Sequence, residues 1–119
     1  MSSLLARLQQ DLNTARKAGD KAAVTVLGTT IADVKNRQIE LRRDAIDDDV
    51  VEVLRKSIKR RREAIDLYVS AKRDDLAGTE RAEMTTLEGY LPAQVDDEEI
   101  RAAVLELSRM EREHFTYTR

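Results

Sequence analysis

Residues 65–100 read IDLYVSAKRDDLAGTERAEMTTLEGYLPAQVDDEEI, and their punctuation argues for helices. Asp74 and Asp75 suit the first turn of a helix, where carboxylates face the positive end of its dipole. Gly78-Thr79 offers a second start, so a helix over some or all of residues 74–90 begins at Asp74 or at Thr79 and is ended by Pro92. Tyr90 and Leu91 then seal the core at the helix end. Asp96 and Glu99 form a capping box, with Val95 and Ile100 at the positions of a hydrophobic staple. A fifth helix therefore starts here, continues its apolar face through Val104 and Leu107, and frays after Glu113.

Working back, a long helix over residues 48–71 carries Val51, Leu54, Ile58, Ile65 and Tyr68 as its buried stripe. Arg61 and Arg62 interrupt the stripe, as a long arginine can by laying its stem on the core edge and keeping its head wet. Ahead of it stands Asp47-Asp48-Asp49: Asp47 suits the N-cap, the next two acids face the dipole, and Ile46 with Val51 makes a staple. A divalent-metal reading of these acids lacks the ligand spacing and the glycine of a calcium loop, so capping is preferred.

The first helix runs from Ser3 to Ala18 with Leu5, Leu8, Leu12 and Ala15 on one face and Ser2 or Ser3 as N-cap. Gly19 accepts the left-handed backbone of a helix stop and Asp20 caps the next helix, which makes the first two helices antiparallel neighbours. The second carries Val24, Leu27, Ile31 and Val34 and reaches Leu41. Gly28-Thr29-Thr30 is its weak point, and a close helix approach at Gly28 would explain the glycine there.

Charged residues make up 37% and aromatics 3%, with four Gly and one Pro, a repertoire of helix formers that disfavours an all-β chain. The hydrophobic 41% recurs at helical spacing and the net charge is only −2, which argues against disorder. A chain of 119 residues has room for one domain, expected over residues 1–113, with a mobile tail over 114–119. The expected architecture is all-α, a compact bundle of about five helices with short loops. The absence of cysteine removes disulfides and thiolate chemistry. No stretch reads as a signal peptide or a membrane span, so a soluble cytoplasmic protein without a membrane partner is expected. The near-neutral balance leaves nucleic-acid contact to a local patch.

That patch is Arg55, Lys56, Lys59, Arg60, Arg61 and Arg62, six cations in eight positions, for which phosphates are natural partners. Glu52 with Lys56, Lys59 with Glu63, and Arg62 with Asp66 are i,i+4 pairs that partly neutralise it, and on residues alone an ordinary solvated face is the stronger reading. No catalytic set competes with it. The one histidine, His114, lies near a chain end, and Ser2, Ser3, Ser57, Ser70 and Ser108 stand in no nucleophile motif. No phosphate-binding glycine loop or zinc motif occurs, so no cofactor and no metal is expected. Asp74, Asp75, Glu80, Glu83 and Glu88 read as dipole caps and surface solvation, because catalytic carboxylates usually need burial.

Tyr68, the Ala71-Lys72-Arg73-Asp74-Asp75-Leu76 run, Glu80 with Glu83, and above all Tyr90-Leu91-Pro92-Ala93-Gln94 resemble the YqeY-like family. Leu4-Leu5-x-x-Leu8, the Ala18-Gly19-Asp20-Lys21 turn and Val51-x-x-Leu54 extend the likeness over most of the chain. In that family the module stands alone or forms the C-terminal tail of the B subunit of the tRNA-dependent Glu/Asp amidotransferase. The tail contacts tRNA, while glutaminase and phosphotransfer chemistry belong to other domains. The resemblance therefore implies a nonenzymatic module with tRNA or a tRNA-modifying assembly as partner, binding through Arg55, Lys56, Lys59, Arg60, Arg62 and Arg73. A carbon-nitrogen ligase activity with glutamine as amide donor attaches by family association alone. The alternative is a protein-interaction module that docks through Phe115 and Tyr117. Two departures stand out: Lys72 replaces the usual glycine of Ala-Gly-Arg, and Met110 to Arg119 stand where the family continues into a small Gly- and Lys-rich helical subdomain.

Overall fold

The computed structural model describes residues 2–92, 105–107 and 109. They form an all-α bundle: α1 Ser3–Ala18, α2 Lys21–Leu41, α3 Asp47–Ser70 and α4 Asp74–Glu88. Residues 105–107 and 109 are also helical, whereas the capping box at Asp96 and Glu99, His114, the tail and the domain boundary lie outside the described residues.

α1 has the expected bounds. Ser2 caps it by accepting from the Leu5 amide at 3.1 Å. Gly19 closes it at φ 70°, and the Asp20 amide reaches back to the Ala15 carbonyl at 3.0 Å. Asp20 in turn caps α2 through the Ala23 amide at 3.1 Å, so a two-residue turn folds α2 back on α1. The predicted leucine stripe packs inward, with Leu8 wholly buried.

α2 stays helical through Gly28-Thr29-Thr30, but not because another helix comes close at the glycine. A Cβ built at Gly28 would meet nothing within 4 Å. Burial of Val26, Leu27, Thr30 and Ile31 in the core holds the segment helical, and the threonine hydroxyls are satisfied within the helix, Thr29 on the Thr25 carbonyl and Thr30 on the Val26 carbonyl at 2.7 Å. Val26 and Thr30 also widen the buried stripe beyond Leu27, Ile31 and Val34.

The start of α3 differs from expectation by one residue. The N-cap is Ile46, and Asp49 at the third helical position accepts from the Ile46 amide at 2.9 Å. The staple positions accordingly fall on Ala45 and Val50, both in the core, while Ile46 is 54% exposed. Asp49 is held by Arg43 at 2.7 Å, and Gln38 accepts the Ala45 amide at 3.0 Å. Asp47 is thereby released from its expected cap role. Its carboxylate takes the hydroxyls of Ser2 and Ser3 and, at 3.1 Å, the Leu4 amide, fastening the first turn of α1 to the first turn of α3.

Leu54, Ile58 and Ile65 are buried on α3 as expected, but Val51 and Tyr68 are only half-buried, and Val50, Val53 and Ser57 take their share. The stripe is broader because α3 packs against α1, α2 and α4 at once. Its C-terminus turns through Lys72 at φ 59°, with the Arg73 amide bonded to the Tyr68 carbonyl at 2.8 Å. The turn that a glycine would favour thus survives with a lysine in the left-handed region. α4 takes the earlier of its two possible starts, at Asp74, and ends at Glu88, before Pro92. Leu87 and Tyr90 close the core beneath it.

A left-handed non-glycine residue carries about 1 kcal/mol of strain, so Lys72→Gly should stabilise the fold by up to that amount, less the greater chain entropy of glycine when unfolded. Urea unfolding of the two proteins tests this, and an unchanged or lower midpoint contradicts it. The three donors, Ser2 first, hold the Asp47 carboxyl below its ordinary value. Because the folded-state pKa is depressed, this stabilisation is complete above the ordinary carboxyl pKa of about 3.9 and fades as pH falls through the lower folded value. Asp47→Asn should therefore lower Tm at neutral pH, with the gap to the parent narrowing below about pH 4. A gap independent of pH would show that the clasp does not depend on the charge.

Candidate nucleic-acid interface

The six cations of α3 do not form one patch. A helix turns 100° per residue, so positions four or seven apart share a face and neighbours diverge. Arg61 points inward: its side chain is 13% exposed, it donates from Nε to Glu83 on α4 at 3.1 Å, and it donates to the buried Ser57 hydroxyl. This arginine ties α3 to α4 and is not available to a ligand. Glu83, one of the carboxylates considered for acid/base work, is thereby its structural partner.

Lys56 and Arg60, four residues apart, face α2 together with Lys59. They line a groove of about 530 Å³ between α2 and α3, opposite Asp33, Asn36, Arg37 and Glu40, with Glu52 and Glu63 on their own helix and Val53 at its base. Lys56 pairs with Glu52 at 3.3 Å and Arg60 with Asp33 at 3.4 Å. Arg37 bonds Glu40 at 2.9 Å and approaches Glu52 at 3.9 Å. Glu40 first, and Glu52 behind it, keep Arg37 firmly charged against the opposing effect of burial. Its Nε is buried and has no hydrogen-bond partner among the described residues. The groove is therefore a surface of both signs, with four carboxylates against four cations.

Arg55 and Arg62, seven residues apart, lie on the side of α3 away from that groove, and both are exposed. Lys59 is exposed at the border between the two. Of the three i,i+4 pairs expected on this helix, only Glu52 with Lys56 closes; among the described residues neither Lys59 nor Arg62 is in an ion pair. Arg73 stands apart, past the end of α3, and pairs with Asp75 at 3.3 Å. Asp75 is held below the usual carboxylate range, by Arg73 first and then by the Leu76 amide.

Two contacts escaped the sequence reading. Arg37 and Asp33 supply the far wall of the groove, and only the Arg37-Glu40 spacing hinted at a paired surface. Tyr90 donates its hydroxyl to Asp11, and the Arg7 guanidinium lies 4.8 Å above its ring. Burial first, and then the hydrogen bond to Asp11 and its charge, push the Tyr90 phenol well above its ordinary pKa, so it remains a neutral donor. The Tyr-Leu-Pro segment thus works as a tie from the end of α4 to α1. Among the described residues no three His, Cys, Asp or Glu side chains are grouped to hold a metal ion, and no helix is long and apolar enough to cross a membrane.

A family profile described as Yqey-like protein matches residues 5–112. Among curated proteins the chain is similar to "Altered inheritance of mitochondria protein 41, mitochondrial" of Eremothecium gossypii, 34% identical over 90 residues, covering 75% of this chain and 49% of that protein. The protein of the same name from Kluyveromyces lactis is 32% identical over 106 residues, covering 87% and 57%, and that of Saccharomyces cerevisiae strain YJM789 is 29% identical over 85 residues, covering 71% and 46%. The chain spans about half the length of these curated relatives. Their names also correct the expected location: they are mitochondrial proteins, and the cytoplasmic expectation is withdrawn. That expectation rested on the lack of a secretory or membrane-spanning segment, a pattern which does not distinguish the cytosol from the mitochondrion.

Tyr90→Phe keeps the ring beneath Arg7 and removes only the hydroxyl. It should cost about 1 kcal/mol by leaving the half-buried Asp11 without its donor. Chemical denaturation measures this, and unchanged stability would mean that the contact is not a structural tie.

Proposed function

This chain belongs to the YqeY-like family, and from that premise we propose that it is a nonenzymatic helical module that binds tRNA, or an assembly that amidates tRNA, through the exposed cations of α3. The observation that carries the reading is the state of Lys59 and Arg62: both are solvent-exposed, and neither is in an ion pair among the described residues. Such cations can neutralise phosphates and release the counterions condensed on a nucleic-acid backbone. Lys56 and Arg60 add positive charge nearby but are already matched by Glu52 and Asp33. Arg73, matched by Asp75, contributes least.

A second reading, as a protein-interaction module, draws on Ile39 and Leu67, large apolar side chains that are 74% and 71% exposed on α2 and α3. One titration separates the two. Bulk tRNA added to the purified protein should bind with an affinity that falls steeply between about 50 and 200 mM salt. The double reversal Lys59→Glu/Arg62→Glu should abolish binding while leaving the helical circular dichroism signal intact. No binding at the lower salt would refute the tRNA reading and turn the search to protein partners.

A further inference from the structure

We infer that the RNA bound through α3 makes a second backbone contact at the end of the bundle that carries the α1–α2 and α3–α4 turns, where Arg16, Lys17, Lys21 and Lys72 meet its phosphates. This rests on the tRNA reading and adds to it where else the RNA is held and by which residues.

The two turns lie at one end of the bundle. α2 folds back on α1 at Gly19-Asp20, and the chain reverses again over residues 71–73, between α3 and α4. α2 and α3 run antiparallel, since Arg37 approaches Glu52 while Asp33, further from the α2–α3 corner, meets Arg60. That corner is the acidic end, with Asp44, Asp47, Asp48 and Asp49 against Arg42 and Arg43. The turn end has Arg16, Lys17, Lys21, Lys72 and Arg73 against Asp20, Asp74 and Asp75. Its acids are committed: Asp20 accepts the Ala23 amide, Asp75 holds Arg73, and Asp74 opens α4, where the dipole favours it. Arg16, Lys17, Lys21 and Lys72 are exposed, and none is in an ion pair among the described residues. Charge is thus polarised along the helices, in the sense that turns the basic end toward a polyanion.

Two of these cations stand where the fold disfavours them. Arg16 and Lys17 occupy the last turn of α1, where the dipole welcomes positive charge. Lys21 has the reverse placement, as the first residue of α2, and no acid joins it in that turn. Lys72 holds the left-handed φ of 59°, which strains a residue with a β-carbon. Both lysines are exposed, so neither position is explained by packing or pairing. Residues held against local preference cluster at functional positions. Arg42, left-handed at φ 57°, differs in that its charge stands beside Asp44 and the three aspartates that open α3. Lys59 and Arg62 lie in the half of α3 that leads to the turn end, so both contacts fall on the same half of the bundle.

The test measures fluorescence anisotropy with bulk tRNA, and urea unfolding, on the parent chain and on two matched variants, Lys21→Gln/Lys72→Gly and Lys35→Gln/Arg42→Gly. The second removes the same charge and relieves the same kind of backbone strain, but in the half of the bundle that holds the acidic corner. Lys21→Gln/Lys72→Gly should weaken binding at least about tenfold at about 50 mM salt and flatten the slope of log affinity against log salt by about two. Its urea midpoint should be unchanged or higher. The matched variant should bind within about twofold of the parent, a margin well short of one lost phosphate contact. Arg16→Gln/Lys17→Gln, which alters neither disfavoured position, should flatten the slope by about two as well. Equal losses in the matched variants, no loss in Lys21→Gln/Lys72→Gly or in Arg16→Gln/Lys17→Gln, or a lower urea midpoint for the former overturns this inference and leaves the tRNA reading standing. Absence of binding by the parent chain overturns both.

Discussion

The carboxylate of Asp47 fixes where α1 meets α3, the helix against which α1, α2 and α4 all pack. It sits at the first position of α3 yet takes its hydrogen bonds from Ser2, Ser3 and Leu4, so the N-termini of two helices converge on one negative charge. Both dipoles favour an anion there. With α1 fastened at its start, Leu5, Leu8 and Leu12 lie on the core that Val50 and Leu54 enter from α3. Tyr90 then holds α1 further along, at Asp11. A small helical domain with a single core gains from such polar ties because each fixes where an apolar face must lie.

The same helix that is clasped by Asp47 also sorts the chemistry of the molecule. As composition, Arg55 to Arg62 is a block of positive charge. Folded, it divides into an arginine committed to α4, a groove side neutralised by carboxylates, and an outer edge that faces solvent. Net charge on a helix is therefore a poor guide to its field: position around the axis decides which cations a ligand can reach.

Much of this was legible in the sequence. The Ala18-Gly19-Asp20 turn states its own geometry, since a glycine stop followed by an aspartate cap has one economical solution. Helix periodicity located the leucines of α1 and, on α3, Leu54, Ile58 and Ile65. The cap of α3 was less legible because Asp47, Asp48 and Asp49 are chemically alike, and only the tertiary demand of Ser2 and Ser3 decides which acid serves which helix. The division of the cations was hidden for a related reason. Periodicity gives the angle of a residue around its own helix, while the partners of Arg60 and Arg61, Asp33 and Glu83, lie 27 and 22 residues away.

At Lys72 tertiary structure overrules a local preference. The chain reverses between α3 and α4 with a left-handed residue, and the packing of those helices, with Arg61 bonded to Glu83, holds the turn without the glycine that would make it easy. A glycine there would be bare. The lysine instead sets an exposed ammonium-bearing side chain beside Arg73, so a position otherwise reserved for backbone freedom becomes part of the electrostatic outline of the molecule. Conformational ease has been exchanged for charge at the corner between α3 and α4.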